Sequence, residues 1–246
     1  MVGLRVGAVA WHDVECASYA ADLPLWRELA EECGGAVLDI GCGTGRVALD
    51  LAELGHELTA LDSDPALVRE LASRAGGRGL RVHTVAGDAR SLALGRSFSL
   101  IVAPMQVAQL LGGPPGRRAM LEGALRHLES RGRLAVALAD PFEAVAPDDA
   151  LPPLPDVREQ DGWVLTSMPV AVRPERDGVT IERLRQLVSP SGELSEELFS
   201  VRLDSVSPDE LEREAVEAGL RPAGRRPVAP TGDHVGSTVV LLEAAP

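Results

Sequence analysis

The stretch VLDIGCGTGR, residues 37–46, sets the fold of this chain. A short apolar run ends here, and three glycines then follow at alternate positions before a helical pattern begins at residue 46. Glycine permits turn angles that other residues avoid, and a helix N-terminus presents unpaired N–H groups with a positive dipole. The stretch therefore predicts a strand, a turn and a helix whose junction holds a nucleotide-like ligand. The alternative is a tight turn that only needs small residues.

Short apolar runs and helical periodicity alternate around this unit. Predicted strands lie at 36–40, 57–61, 80–86, 98–103 and 133–139. Predicted helices lie at 46–54, 65–75 and 117–129, and an earlier one begins at Pro24 and ends at Gly34. Strands separated by helices of this length are typical of parallel βαβ units in a doubly wound sheet.

The alternation of strands and helices ends after residue 139. Residues 140–160 hold prolines and acids and are predicted to be a loop. Three β-rich runs separated by hairpin-like breaks predict a small antiparallel sheet, here called the β lid, at 163–172, 179–188 and 195–204. A capped helix is predicted at 207–220, with Ser207 at its N-cap and Glu210 three residues later. The last apolar run, 237–244, is predicted to be an edge strand.

Bulk composition limits the class of protein. With 246 residues and 45% hydrophobic residues, the chain fits one large domain, or one domain with a small elaboration. Its apolar runs fall short of the roughly 20 residues of a membrane span, and residues 1–11 lack the features of a signal peptide. We therefore expect a cytoplasmic protein with no membrane partner.

Charge and cysteine content narrow the chemistry further. A net charge of −13 with 3% aromatic residues disfavours nucleic-acid partners, which usually meet a basic surface. Three cysteines without a CxxC pair predict neither a disulfide framework nor a metal site. All 24 basic residues are arginine, which excludes a Schiff-base or P-loop lysine.

The spacing of glycines and acids separates two nucleotide-binding families. The dinucleotide pattern G-x-G-x-x-G would need a glycine at position 46, which is Arg46. The spacing is instead D-x-G-x-G-x-G from Asp39, followed by Asp62 after the second strand and Asp88 after the third. This arrangement resembles motif I and the two later acids of the class I S-adenosylmethionine (SAM)-dependent methyltransferases.

The resemblance implies a role for each matching residue. The part of the cofactor derived from methionine would lie among Asp39, Gly41, Cys42, Gly43 and Gly45. The ribose would meet Asp62 and Ser63, and the adenine would meet Asp88 and Ala89. Tyr19, the only tyrosine, stands where small-molecule members often place a residue that caps the cofactor, although it could equally be a packing residue. Carboxylates suit these positions because they accept hydrogen bonds from vicinal hydroxyls and from an exocyclic amine.

The resemblance also implies the whole architecture. We expect an α/β fold: a Rossmann-like, doubly wound, mostly parallel sheet with an antiparallel final strand, and a small antiparallel β lid inserted after strand 5. The four regions would be an N-terminal cap helix region, a SAM-binding core, a loop with the β lid, and a closing helix and strand, at 1–35, 36–139, 140–206 and 207–246.

Residues near the methyl acceptor are less specific. After the fourth strand the chain reads Ala-Pro-Met-Gln, unlike the D/N-P-P-Y-type motif of methyltransferases that act on base amines or glutamine amides. Met105 would line the cofactor site and Gln106 the acceptor site. His12 and His234 are weak candidates for a proton acceptor, and Arg183 could meet an acidic acceptor. Exposed loop histidines and a solvated strand face are the alternatives.

The sequence thus predicts an enzyme that moves the methyl group of SAM to a small molecule by in-line displacement and leaves S-adenosylhomocysteine. A homodimer through the β lid is a further expectation. Two alternatives remain open. One is a SAM-binding module without catalysis, and the other is an NAD(P)-dependent oxidoreductase of Rossmann type.

Overall fold

The computed structural model describes residues 7–139, 154–232 and 234–245. Within these ranges the helices are α1 Ala8–Cys16, α2 Leu23–Cys33, α3 Arg46–Glu53, α4 Pro65–Gly77, α5 Pro114–His127 and α6 Pro208–Glu217. The strands are β1 Ala36–Ile40, β2 Glu57–Asp62, β3 Val82–Ala86, β4 Phe98–Ala103, β5 Leu128–Ala139, β6 Asp156–Gln160, β7 Trp163–Glu175, β8 Gly178–Val188, β9 Leu194–Asp204, β10 Leu220–Val228 and β11 Ser237–Ala244.

Seven strands form the main sheet, in the order β10-β11-β5-β4-β1-β2-β3. The strands from β5 to β3 in this order are parallel, whereas β11 runs antiparallel to both β5 and β10. Because β1 lies between β2 and β4, the chain winds away from it in both directions. The predicted doubly wound α/β fold with an antiparallel final strand is confirmed.

Helices cover both faces of the main sheet. On one face the apolar side chains of α2, α3 and α4 pack on the strands, with Trp26, Leu51 and Leu71 fully buried. On the other face α5 and α6 contribute Met120 and Leu211, which are also fully buried. Both faces of β1 are therefore covered by helices, and all five of its residues are buried.

The prediction that 237–244 is an edge strand is wrong. β11 lies inside the sheet, between β5 and β10, and Val239, Val240 and Leu242 are completely buried. The edge is β10, which the sequence analysis missed because its two prolines and Gly224 do not resemble a strand. Proline cannot donate to a ladder of hydrogen bonds and is tolerated at a sheet edge, which is where β10 lies.

The β lid has four strands rather than three, in the order β6-β7-β8-β9 and antiparallel throughout. The additional strand, β6, lies within the segment that was predicted to be a loop, and that prediction is wrong for Asp156–Gln160. Its short charged sequence carries no apolar alternation, so β6 depends on pairing with β7. The rest of the predicted loop, 140–153, lies outside the described residues.

The first helix, α1, was also not predicted. Its N-cap, Gly7, makes no side-chain cap, so the start signal of a helix is missing from the sequence. Tertiary packing stabilises it instead, because Trp11 and Val14 are buried against Leu165 and Leu187 of the β lid. α1 therefore lies between the β lid and the main sheet.

Other element boundaries differ from expectation by a few residues. α5 begins at Pro114 rather than 117 and gives way to β5 at Leu128. The predicted capping box of α6 is confirmed, since Ser207 and Glu210 exchange hydrogen bonds. Among the described residues no helix has the length and apolar character that crossing a membrane requires.

Candidate active site

The glycine loop, residues 41–45, joins β1 to α3. Gly41, Gly43 and Gly45 all have positive φ, at 71°, 54° and 99°. A Cβ atom on these residues would lie 2.4 Å from Val107, 2.2 Å from His12 and 2.2 Å from Leu71, respectively. The glycines are thus needed for the turn and for close approach of protein side chains. At Gly43 a side chain would meet the ring of His12.

Backbone hydrogen bonds tie the glycine loop to the end of β2. The carboxylate of Asp62 accepts the amide of Gly43 at 2.9 Å and, through its other oxygen, the amide of Asp64 at 2.9 Å. The carbonyl of Leu61 accepts the amides of Gly41 and Cys42 at 2.8 and 3.0 Å. The loops after β1 and β2 therefore form one rigid unit.

A cavity of about 350 Å³ opens at the carboxyl ends of β1, β2, β3 and β4, where ligands of open α/β sheets bind. The residues predicted from the sequence that line it are His12, Asp39, Gly41, Cys42, Asp62, Ser63, Asp88, Ala89, Met105 and Gln106. Gly43, Gly45, Tyr19, Arg183 and His234 are not among its lining residues. Most of the predicted site is thus brought together.

Asp39 is the most unusual group of the cavity. Its residue is 1% exposed, and neither carboxylate oxygen has a hydrogen-bond partner among the described residues. Burial raises the pKa of Asp39 to about 7. The Arg46 guanidinium and the nearby Ala48 amide oppose this shift, although neither meets the geometry of a hydrogen bond to the carboxylate. A buried carboxylate without partners is costly unless a ligand supplies them.

Arg46, which the sequence analysis missed, provides a cation at the same end of the cavity. Its guanidinium donates to both oxygens of Asp22 at 2.5 and 2.8 Å and to the carbonyl of Tyr19 at 3.1 Å. It lines the cavity, and its side chain is 10% exposed. Its position directly after the glycine motif was the available signal. With Asp39, it places opposite charges at one end of the cavity.

Asp88 lies at the far end of the cavity, after β3. Hydrogen bonds from the Arg90 side chain lower the pKa of Asp88, and the Arg90 backbone amide also donates to it at 2.8 Å. Ala89 and Leu111 contribute buried apolar surface to the same cavity. This end therefore combines an ionised carboxylate with a flat apolar wall.

The segment after β4 completes the wall. Met105 has a φ of 54°, which is uncommon for a residue other than glycine and marks local strain. Gln106 is the N-cap of the short 3-10 helix Val107–Leu110 and makes no side-chain cap, so its amide is available to the cavity. Both residues thus line the cavity.

His12 is the histidine on the cavity wall. Burial lowers the pKa of His12 below its ordinary value of 6.5, and the carboxylates of Asp13, Asp62 and Glu15 oppose that shift. Its Nδ1 lies 3.4 Å from the hydroxyl of Thr44. The imidazole is therefore mostly neutral at pH 7 and can accept a proton.

Tyr19 and His234 meet each other rather than the cavity. Their ring centroids lie 4.9 Å apart, and Arg46 lies 5.0 Å from the Tyr19 ring on the cavity side of the pair. Burial raises the pKa of Tyr19. The Tyr19 ring, with His234 packed on it, therefore contacts the Arg46 guanidinium outside the cavity.

Arg183 has protein partners instead of solvent or an open acceptor site. Its Nε donates to Ser167 at 2.8 Å, and its guanidinium also pairs with Asp156 and lies 3.5 Å from Glu15. The neighbouring Arg185 is held by Glu15 at 2.8 Å. The predicted contact of Arg183 with an acidic acceptor is not supported, because these carboxylates already neutralise it.

Metal ligands and reactive thiols do not gather in this part of the structure. Among the described residues no group of three or more His, Cys, Asp or Glu side chains is arranged to hold a metal ion. The three cysteines are free, and burial raises the pKa of Cys16 to about 11. Thiolate chemistry at neutral pH is therefore disfavoured for Cys16.

Comparison with known proteins agrees with this geometry. A family model described as a methyltransferase domain matches residues 37–132. The cypemycin N-terminal methyltransferase of a Streptomyces species is 32% identical over 110 residues, which are 45% of this chain and 44% of that protein. A ribosomal protein methyltransferase of Bordetella parapertussis is 32% identical over 148 residues, 56% of this chain and 43% of that protein. The chain thus spans less than half the length of these two curated relatives.

One solved structure shows the fold along nearly the whole chain. The sugar N-methyltransferase KedS8 of a Streptoalloteichus species superposes with a TM-score of 0.75 at 16% identity, over 96% of this chain and 92% of that one. Residues 37–132 thus match a methyltransferase-domain family, and the fold along nearly the whole chain is the one seen in this solved methyltransferase.

The packing of Gly45 is testable by substitution. Gly45→Ala adds both a strained φ and a clash with the buried Leu71, whereas Gly55→Ala at a φ of 91° meets no atom within 4 Å. We expect Gly55→Ala to lower the free energy of unfolding by about 1 kcal/mol and Gly45→Ala by about 2–4 kcal/mol. Urea denaturation measures both. Equal losses would show that the space beside Gly45 is open.

The burial of Asp39 predicts a pH-dependent stability. Because the folded protein holds the Asp39 proton up to a pKa of about 7, against an ordinary value of 3.8, wild-type stability falls as pH rises between these values. The neutral Asp39→Asn avoids that loss. We expect it to exceed wild type by a few kcal/mol at pH 8, at about 1.4 kcal/mol per unit of pKa, with little difference at pH 4.

Thermal unfolding of both proteins from pH 4 to 8 checks this expectation. Asp50→Asn, which removes a carboxylate from the surface pair with Arg27, is the control and should not gain stability with pH. A difference between Asp39→Asn and wild type that is constant across this range would contradict the buried charge.

Proposed function

We propose that this protein is a SAM-dependent methyltransferase that acts on a small-molecule acceptor. The observation that carries the proposal is the unpartnered carboxylate of Asp39, buried in a cavity that also presents Asp62 and Asp88 at the next two strand ends. A cationic ligand with a sugar and a base would satisfy all three carboxylates. SAM has these three parts in this order.

The amino-acid end of SAM fits the pair formed by Asp39 and Arg46. Asp39 would accept hydrogen bonds from the ammonium group, which a carboxylate without partners requires. Arg46 uses both NH1 protons and one NH2 proton on Tyr19 and Asp22, so Nε–H and one further NH2 proton remain for the carboxylate of the ligand. Asp39 would thus bind the ammonium group of the amino-acid end, and Arg46 would bind its carboxylate.

The nucleoside end fits the remaining carboxylates. Each oxygen of Asp62 accepts one backbone amide and has a second acceptor site for a ribose hydroxyl. Arg90 donates to both oxygens of Asp88, and an exocyclic amine would take the place of the exposed Arg90 side chain on this carboxylate. The apolar wall of Ala89 and Leu111 suits a flat base.

When bound, SAM supplies a methyl group on positively charged sulfur, which passes in line to the acceptor nucleophile and leaves S-adenosylhomocysteine. The residues of the chain need only to orient the two reactants and exclude water. His12, neutral at pH 7 and on the cavity wall, is the best-placed group to take a proton from an acceptor that must lose one. His234 is the weaker candidate, because it packs on Tyr19 and does not line the cavity.

Several observations support a small acceptor. The β lid and α1 lie over the core beside the cavity, which narrows access for a folded macromolecule. The sugar N-methyltransferase fold extends along nearly the whole chain, whereas the ribosomal protein methyltransferase matches 56% of it. The net charge of −13 opposes nucleic acid. A small amine is therefore the first acceptor to test.

Two other functions are weaker. A SAM-binding module without catalysis would not need His12 and Gln106 on the cavity wall, and turnover of SAM with any amine removes this alternative. An NAD(P)-dependent oxidoreductase would bring a pyrophosphate to the glycine loop. The glycine spacing opposes this function, because the dinucleotide pattern needs a glycine at the position of Arg46.

Isothermal titration with SAM, S-adenosylhomocysteine and NAD(P) tests the proposed function. We expect both sulfur ligands to bind and NAD(P) not to bind. Asp62→Ala should weaken S-adenosylhomocysteine by about 2–3 kcal/mol, because two hydroxyls lose a charged acceptor. Asp50→Ala is the control. Tight NAD(P) binding, or unchanged affinity in Asp62→Ala, would defeat the assignment.

We also propose that two copies pair through the β lid. β9 is its long edge strand, with seven consecutive exposed residues from Leu194 to Ser200 and with Leu198 70% exposed. In a two-fold antiparallel pairing centred on Phe199, Glu196 of each copy faces Arg202 of the other. Long exposed edges readily pair with other strands.

Light scattering after size exclusion tests the pairing. We expect a dimer for wild type and a monomer for Leu198→Arg. Leu54→Arg, at a leucine that is 57% exposed on the core, should leave the dimer intact. A wild-type protein that is monomeric at every concentration would disprove the interface.

A further inference from the structure

Helix α1 closes one side of the cavity. His12 and Cys16 line the cavity, and the His12 ring lies directly against Gly43 of the glycine loop. A ligand that occupies this cavity cannot leave past α1 unless the helix moves. The contacts that hold α1 in place therefore fix this side of the cavity.

Asp13 makes the main polar contacts of α1 with the core. Its carboxylate accepts the hydroxyl of Thr44, in the glycine loop, at 2.8 Å. It also accepts two hydrogen bonds from Arg74 on α4, one of them at 3.0 Å. The Asp13 side chain is 2% exposed, and burial alone would raise its pKa. The hydrogen bonds from Arg74 and Thr44 outweigh burial, and the pKa of Asp13 is lowered.

The other side of α1 is bound to the β lid. Glu15 accepts Ser167 at 2.7 Å and pairs with Arg185 at 2.8 Å. Trp11 and Val14 add apolar contacts with the same sheet, and Arg158 of β6 reaches Asp13 at 2.6 Å. α1 and the β lid are thus joined by several contacts, whereas polar contact of α1 with the core is concentrated at Asp13.

We propose that Asp13 is a positioning residue that latches α1, and the β lid with it, over the cofactor cavity through Thr44 and Arg74. This inference rests on the proposed function only for the identity of the ligand. The latch must open for the cofactor to enter and for the product to leave. Release of S-adenosylhomocysteine is accordingly limited by the motion of α1 and not by the contacts of the ligand alone.

A gate and a simple binding contact have different kinetic signatures. Loss of a binding contact raises the dissociation rate and leaves association nearly unchanged, since most affinity differences arise in dissociation. Loss of a latch raises both rates, because entry and exit share the same opening step. The ratio of the two rates, and hence the affinity, then changes much less.

Arg74→Gln is the variant that tests the latch. Arg74 does not line the cavity, and its loss leaves Asp13 neutralised by Arg158, so no buried charge is stranded. We expect association and dissociation of S-adenosylhomocysteine each to rise about tenfold, with less than a threefold change in affinity. Stopped-flow fluorescence of the tryptophans, one of which is Trp11 on α1, measures both rates.

Two further variants keep the test specific. Thr44→Val removes the hydroxyl that donates to Asp13 and leaves the hydrogen bonds from Arg74 in place. Both rates should therefore rise by a smaller factor. Arg78→Gln removes an arginine next to the end of α4 that pairs with Glu53 and does not touch α1, so its rates should equal those of wild type. A rise in dissociation alone, or unchanged rates in Arg74→Gln, would overturn the latch.

Hydrogen exchange without any ligand provides an independent measurement. Backbone amides of α1 should exchange at least fivefold faster in Arg74→Gln than in wild type or Arg78→Gln. If α1 exchanges at the same rate in all three, the latch is refuted whatever binds in the cavity. If the wild type does not bind S-adenosylhomocysteine, the proposed function fails, and the exchange rates still decide the latch.

Discussion

The carboxylate of Asp62 connects the loops that form the cavity. One oxygen fixes the amide of Gly43 and the other fixes the amide of Asp64, so the loops after β1 and β2 share one anchor. The backbone carbonyl of Asp62 accepts the amide of Gly87 at 2.9 Å, which connects the loop after β3 to the same residue. Three strand ends are thereby held at fixed distances around the cavity.

Within that frame the carboxylate of Asp39 gains no hydrogen bond from the described residues, and the Arg46 guanidinium and the Ala48 amide offset its burial only in part. Burial keeps its pKa near 7, and its oxygens lack hydrogen bonds. A chain selected for stability alone would replace it with a neutral residue. Its presence makes sense if a cation completes it, so stability is given up here for recognition. The opposite charge of Arg46 at the same end extends the argument from a cation to an amino acid.

Local chemistry explains which parts of the structure were predictable. The glycine loop and the acids Asp39, Asp62 and Asp88 follow from turn angles and strand order, and all three acids line the cavity. β10 was missed because its prolines hide an edge strand, and α1 because its helix depends on Trp11 packing against a distant sheet. Contacts such as Asp13 with Arg74, 61 residues away, leave no local pattern to detect.

Arg183 is a second case in which the sequence could not specify long-range contacts. The β-rich run at 179–188 correctly predicted the strand β8, but a strand does not specify the partners of Arg183. Its charged partners, Glu15 and Asp156, come from α1 and β6, which are two of the elements that the sequence did not reveal. An arginine that looked available for an acidic acceptor is therefore part of the joint between α1 and the β lid.

A crystal structure with S-adenosylhomocysteine tests the central claim most directly. The account predicts the amino group of the ligand within hydrogen-bonding distance of Asp39, its ribose hydroxyls on Asp62 and its adenine beside Asp88 and Ala89. A ligand bound elsewhere, or an Asp39 still without a partner in the occupied protein, would contradict it.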